Sequence, residues 1–234
     1  MISLGYSNWT SITGTAGWSI RSSMTSIVYD NKMFVMGGYD TSSYLNDVWS
    51  STDGVTWVEV TDDAGWSGRR DHTSVEYDSK MFVTGGWDGT LLLNDVWSSS
   101  DGSTWVEVVG SAGWSARRGH TSVVYDNKMF VMGGNMGTMM NDVWSSTDGV
   151  TWVEVTDDAG WNGRTFHTSV VYDDKIFVMG GDDTSSRLND VWSSSNGSTW
   201  VEVVGSAGWS ARSHTTSTIY NSKIFVMGGY HSDG

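Results

Sequence analysis

Cysteine is absent from the 234-residue chain, and with it go disulfides, thiolate chemistry and zinc-knuckle sites. Proline is absent too, where average usage would place about 12, which excludes polyproline segments, collagen-like chains and proline-marked linkers. Basic residues are scarce: 13 Lys and Arg stand against 27 Asp and Glu, a net charge of −14. That excess repels phosphate backbones and anionic lipid, so neither nucleic acid nor a membrane is an expected partner. No apolar run approaches the roughly 18 residues of a membrane span. The start, MISLGYSNWT, lacks the basic end and apolar core of a secretory signal, so the chain as given carries no export address and its compartment stays open.

Glycine (29) and tryptophan (15) are plentiful instead, and both are periodic. A Gly-Gly pair closes an apolar run at Gly37-Gly38, Gly85-Gly86, Gly133-Gly134, Gly180-Gly181 and Gly228-Gly229, in steps of 48, 48, 47 and 48 residues. Trp9, Trp57, Trp105, Trp152 and Trp200 keep the same phase, as do Trp18, Trp66, Trp114, Trp161 and Trp209. Within one copy, HTSVVY, KMFVMGG, NDVWSS and TWVEV read as four short antiparallel strands. Asp30-Asn31, Asp78-Ser79, Asp126-Asn127, Asp173-Asp174 and Asn221-Ser222 suit two-residue hairpins, where Asn and Asp tolerate positive φ. Asp53-Gly54, Asp101-Gly102, Asp148-Gly149 and Asn196-Gly197 are expected to close the next hairpin likewise. No 3.6-residue apolar period is sustained, so no helix is expected.

A four-stranded unit whose second strand is apolar on both faces needs a neighbour on each side, and radial stacking of such units gives a β-propeller. The expectation is one all-β domain over 1–234 with five blades of four antiparallel strands: 22–60, 70–108, 118–155, 165–203, and a last blade of 213–234 plus 1–12. Met1 aligns with Trp49 and Gly234 with Ser43, so the first residues, through Trp9 to Ile12, are expected to supply the outer strands of that last blade and close the ring.

Arg-x-x-His before the first strand, Gly-Gly after the second, and LNDVW followed by a second Trp resemble the kelch repeat. The resemblance covers the whole chain, is closest in residues 69–105, and in its NDVWSS(T/S)DG form is similar to kelch repeats of bacterial proteins. It implies a kelch-type β-propeller, with five blades where such rings usually have six or seven. Kelch propellers include protein-interaction modules, carbohydrate-binding proteins and a few enzymes, so the resemblance fixes fold more tightly than function. The best-known kelch oxidase chemistry needs copper and a Tyr-Cys crosslink, which a chain without cysteine cannot form. Trp49 to Trp66 is identical to Trp144 to Trp161, and Trp97 to Arg117 differs from Trp192 to Arg212 only at Asp101 versus Asn196. A two-blade unit was therefore copied, by recent amplification or by design.

Successive connections in an up-and-down blade alternate between the two faces of the disc, so the loop after Gly-Gly shares a face with the connection between blades. Tyr39, Trp87, Asn135, Asp182 and Tyr230, directly after Gly-Gly, are the most variable positions of the repeat, and the deletion between Gly134 and Asn141 falls in the same loop. Variation confined to one loop is what a binding surface shows. Arg21, Arg69, Arg117, Arg164 and Arg212 recur three residues after the loop Trp. They are either a ring of guanidiniums for an anionic or hydroxyl-rich ligand, or clamps tying loop to loop; the second reading is favoured. His72, His120 and His167 share one position that Met24 and Thr215 fill elsewhere, and His214 is offset by one, which suits hydrogen-bonded structural histidines and no metal site. The Asn-Asp of NDVW reads as scaffolding.

Near-identical blades supply like groups around an axis, whereas an active site needs unlike groups around one reacting atom. The expected function is therefore a non-enzymatic, monomeric binding propeller without a cofactor, presenting one loop face to a protein. The alternatives are a multivalent lectin-like propeller and an amplified or designed ring with no natural ligand.

Overall fold

The computed structural model describes residues 11–231, and every regular element there is a β-strand. The first blade is β1 (Thr25–Tyr29), β2 (Lys32–Tyr39), β3 (Tyr44–Ser51) and β4 (Val58–Thr61). The second is β5 (Thr73–Tyr77), β6 (Lys80–Trp87), β7 (Leu92–Ser99) and β8 (Val106–Val109). The third is β9 (Thr121–Tyr125), β10 (Lys128–Asn135), β11 (Met139–Ser146) and β12 (Val153–Thr156). The fourth is β13 (Thr168–Tyr172), β14 (Lys175–Asp182), β15 (Arg187–Ser194) and β16 (Val201–Val204). Each is an antiparallel meander in sequence order, and the innermost strands β1, β5, β9 and β13 lie side by side. Among the described residues this is a β-propeller with four complete blades.

The expectation of five complete blades is corrected here. The fifth copy contributes β17 (Arg212–Ser213), β18 (Thr216–Tyr220), β19 (Lys223–Met227) and β20 (Tyr230–His231), arranged as two separate two-stranded pairs, β18-β19 and β17-β20. Of residues 1–12, which were expected to supply the two outer strands, 1–10 lie outside the described residues. Ile12 rests against the Gly54 turn of the first blade: a Cβ on Gly54 would meet Ile12 Cδ1 at 3.1 Å.

Two turn chemistries shape each blade. The Asx pairs form two-residue hairpins with both residues left-handed, as at Asp126 (φ 46) and Asn127 (φ 54), the pattern whose twist matches the flanking strands. The Asp-Gly turns do not, which corrects the second hairpin expectation. Six residues, 52–57, separate β3 from β4, because Ser51 Oγ accepts the Gly54 amide (2.8 Å) and the Asp53 carboxylate accepts the amides of Val55 and Thr56 (2.8 Å each). Those amide donors hold Asp53, Asp101 and Asp148 below the usual carboxylate range.

The core lies between blades rather than within them. Phe34, Met36 and Val48 of the first blade meet Met81, Val83 and Trp105 of the second across Trp66, and equivalent clusters fill the next two seams. A fully buried side chain of this size contributes roughly 1.5–3 kcal/mol, so the seams carry most of the stability. Each seam is also keyed by polar contacts. The Tyr77 hydroxyl donates to Asn127 O (2.9 Å) and Thr147 O (3.0 Å) of the next blade. Gly149 of one blade approaches Phe82 of the preceding one so closely that an added Cβ would sit 2.8 Å from its ring.

The Gly-Gly pair is where blades touch through backbone. A bulge separates Met132 from Gly134 in the β10-β11 ladder, and both glycines are left-handed (φ 59 and 100). A Cβ on Gly134 would lie 2.8 Å from His120 Cβ and 3.0 Å from Arg118 O, so a side chain here would push the neighbouring connection away.

Candidate binding face

Three positions in a row on each inter-blade connection build concentric rings on one face. The first holds the repeated arginine. Arg69, Arg117 and Arg164 are fully buried, and each guanidinium takes both carboxylate oxygens of the next blade's Asp. For Arg117 the distances to Asp142 are 2.6 and 2.7 Å, with a third bond to Gly133 O at 2.8 Å. Arg21 pairs with Asp47 in the same way. Trp66, Trp114 and Trp161 stack at 5.4–5.8 Å from the arginines that follow them. The donors of these four arginines are thus consumed by the scaffold, and the Asp of NDVW is their partner. Among the described residues Arg212 is bonded to Ser210 O and Gly228 O.

The second ring is Ser22, Arg70, Arg118, Thr165 and Ser213, and it pairs in antiparallel bridges with the residues after Gly-Gly: Ser22 with Tyr39, Arg70 with Trp87, Arg118 with Asn135, Thr165 with Asp182, and Ser213 with Tyr230. The post-Gly-Gly loops and the inter-blade connections are therefore hydrogen-bonded to each other, as in Arg70 N to Trp87 O (3.0 Å) and Trp87 N to Arg70 O (2.9 Å).

The third ring is Ser23, Asp71, Gly119, Phe166 and His214, all left-handed (φ 53–63) and joined by backbone hydrogen bonds of 2.8–3.0 Å running from Asp71 N to Ser23 O, Gly119 N to Asp71 O, Phe166 N to Gly119 O and His214 N to Phe166 O. Only one of the five is glycine, so the strained conformation at the other four is held by this collar of bonds. The collar rims a central cavity of about 720 Å³ whose wall includes Arg70, Asp71, Phe166, His214 and Tyr230. Below it lies a throat lined by the hydroxyls of Thr25, Thr73, Thr121, Thr168 and Thr216.

His72, His120 and His167 sit just under the collar. Burial, reinforced by the adjacent Arg69 and Arg117, pushes His72 and His120 down to about 3, and burial with Arg164 pushes His167 well below its ordinary value. All three are neutral at physiological pH. His120 Nε2 lies 3.1 Å from Thr73 Oγ1, and His167 Nε2 lies 3.0 Å from Thr121 Oγ1. Among the described residues no three His, Asp or Glu side chains converge on a point that would hold a metal.

The rings are not uniform in chemistry. Trp87, half-buried, lies between two guanidiniums, Arg70 at 4.7 Å and Arg118 at 4.8 Å from its ring. Tyr44 meets it edge-on at 5.4 Å, Tyr39 packs on Tyr44 at 5.0 Å, and Arg70 also faces both tyrosines. The Asp71 carboxylate sits 3.6 Å from Arg70 and 3.8 Å from Arg118. On the other side of the collar, Phe166 stacks on His214 at 3.8 Å and His214 meets Tyr230 edge-on at 5.3 Å. Of the residues singled out from the sequence, Tyr39 and Trp87 join the first cluster and Tyr230 the second. Asn135 and Asp182 hold their bridge positions, and Asn135 turns its amide oxygen onto Gly137 N (2.7 Å). Sequence reasoning passed over Arg70, Arg118, Asp71, Phe166 and Tyr44. The signal for most of them was present: the two positions after each repeated arginine read Ser-Ser, Arg-Asp, Arg-Gly, Thr-Phe and Ser-His, as variable as the post-Gly-Gly position.

Compared with known families, the chain matches the model described as the KLHDC2/KLHL20/DRC7 Kelch-repeats domain, over residues 1–134 and again over 103–234. No curated protein matches it.

Proposed function

The chain belongs to the kelch-repeat family, and from that premise we propose that it is a non-enzymatic, monomeric binding module that takes a protein partner on the face carrying the three rings. The observation that carries this reading is the Tyr39-Tyr44-Trp87 cluster with Arg70 and Arg118 beside it. Trp, Tyr and Arg are the residues that dominate interface energetics, because each offers a large rigid surface with a polar handle. Here all three types are gathered at one place on a scaffold that is otherwise repeated. Trp87 is the one tryptophan outside the three repeated Trp positions, so no need common to the other blades accounts for it. The guanidiniums also give a local positive field on a chain of net charge −14, which favours acidic side chains in the partner.

The five scaffold arginines are poor candidates for ligand contact in this reading, since four of them are already saturated by Asp and backbone. Catalysis is disfavoured by the neutral, buried state of the three aligned histidines, which leaves no titrating acid or base there near neutral pH. A glycan reading has less support, because the stacking platforms are concentrated on the first two blades and around Tyr230 rather than repeated in each unit.

A randomised peptide array tests the proposal. Peptides selected on the intact protein should be rich in Asp, Glu and aromatic residues, and Trp87→Ala should weaken them by about thirty-fold, the equivalent of about 2 kcal/mol at an interface anchor. Selected peptides that bind Trp87→Ala, Arg70→Ala and the parent protein equally would overturn it. Glycan-array binding with steep avidity would favour the lectin reading instead.

A further inference from the structure

Two Asn-Gly pairs occur in the chain, Asn162-Gly163 and Asn196-Gly197, and the structure holds them in opposite ways. An asparagine followed by glycine is chemically labile, because glycine has no side chain to obstruct attack by its own backbone nitrogen on the asparagine carboxamide. Whether the attack occurs in a folded protein depends on how firmly the two reacting groups are already engaged.

At Asn196 both are engaged. Its Oδ1 accepts the amides of Ser198 and Thr199 at 2.9 Å each, and the Gly197 amide donates to Ser194 Oγ at 2.8 Å. Gly197 is buried so closely against the third blade that an added Cβ would stand 2.5 Å from the Phe130 ring. Ring closure here would break three hydrogen bonds in a turn with no room to move. The same turn carries Asp53, Asp101 and Asp148 in the other complete blades.

Asn162 stands where the other units have Ser19, Ser67, Ser115 and Ser210, and it follows directly on the copied segment that ends at Trp161. It is exposed, on the connection that leads into Arg164. Among the described residues its side chain makes one hydrogen bond, Nδ2 to Asp183 Oδ2 at 3.0 Å, and the Gly163 amide meets no acceptor. A Cβ on Gly163 would overlap Met139 O, so the close approach of the third blade requires glycine there. A cavity of about 480 Å³ bordered by Asn162, Gly163 and Asp183 gives water access to the pair.

We propose that Asn162 is a site of spontaneous deamidation that acts as a charge switch between this connection and the loop of the fourth blade. The Gly163 nitrogen bonds to Asn162 Cγ, the Cγ–Nδ2 bond breaks, and ammonia leaves with the Gly163 amide proton. One water then opens the succinimide at either carbonyl, giving aspartate or isoaspartate. A neutral donor to Asp183 thereby becomes a carboxylate facing it. Asp183 is fixed in place, since its Oδ1 accepts the amides of Ser185 at 3.1 Å and Ser186 at 2.9 Å, so like charges meet and the connection parts from the loop. The proposal does not depend on what the face binds.

The test is peptide mapping by mass spectrometry of the full chain kept in mildly alkaline buffer, folded or unfolded in urea. In the folded chain Asn162 should deamidate at least about tenfold faster than Asn196, and in urea the two rates should converge. Equal rates in the folded chain, a faster Asn196, no reaction at Asn162, or a difference that persists in urea would each overturn the assignment. The switch is read by hydrogen exchange in two variants confirmed folded by their melting curves. Asn162→Ser loses the bond to Asp183 without adding charge, so Asn162→Asp should exchange the Ser185 and Ser186 amides at least about threefold faster than it does. Like exchange in the two variants would overturn the switch.

Discussion

The third blade and the fifth unit are written in almost the same letters and reach different states. KMFVMGG at 128–134 and KIFVMGG at 223–229 both form strands with the same Asx hairpin before them, yet Phe130 is 3% exposed and Phe225 41%. The Tyr125 hydroxyl makes two bonds to the next blade, at 2.7 and 3.0 Å, while Tyr220 at the same position is 59% exposed and makes none among the described residues. The lesson is that the hairpin is locally encoded, by alternation and turn residues, whereas burial and clamping are supplied by the neighbouring unit. A repeat of this kind folds as a unit but is stabilised as a pair.

That difference can be broken at the clamp first, where the effect is largest. Arg117→Ala leaves the Asp142 carboxylate without its partner and should cost about 3–5 kcal/mol in chemical denaturation, whereas Arg212→Ala should cost under about 1 kcal/mol. Phe130→Ala should cost about 3–4 kcal/mol through cavity formation, and Phe225→Ala only about 1 kcal/mol, since its side chain is already partly in water.

Acidification separates the same regions. Folded-state values of about 3 for His72 and His120 lie below the unfolded 6.5, so between those limits the unfolded chain binds protons that the folded one does not. Stability is fully present above pH 6.5 and falls as pH drops toward 3, with a slope of up to about 1.4 kcal/mol per pH unit for each histidine. The fifth unit has Thr215 in that position, and its offset His214, lowered by partial burial, acts in the same direction. A melting temperature that stays flat from pH 7 to pH 4 would contradict this burial. The smallest effect is expected at the single difference within the copied segment. Asn196→Asp should change stability by less than about 0.5 kcal/mol near neutral pH, in the stabilising direction, because Asn196 already accepts the Ser198 and Thr199 amides as Asp101 accepts its own two.

How much of this could be read beforehand follows the same division. The strands, the two-residue Asx hairpins and the Gly-Gly contact were legible because each depends on residues close in sequence and recurs with the period. That post-Gly-Gly loops and inter-blade connections share a face followed from strand alternation, whereas their backbone pairing is a finding of the structure. The six-residue Asp-Gly turn was missed because Ser51 and Asp53 side chains replace the ladder there, and a two-residue rule does not see them. The fifth blade was expected from the alignment of the two chain ends; the described residues show four complete blades, and residues 1–10, which were to supply outer strands of the fifth, lie outside them. Arg70 and Arg118 were passed over for the reason that makes them informative: they follow an invariant arginine and do not themselves recur in every unit.

Strand-by-strand hydrogen exchange under native conditions tests the contrast most directly. The account predicts that amides of β6, β10 and β14 exchange only by global unfolding, while those of β19 exchange through local opening at least a hundredfold faster. Protection of β19 equal to that of β10 in the isolated protein would mean that the fifth unit is as fully enclosed as the rest, and would contradict it.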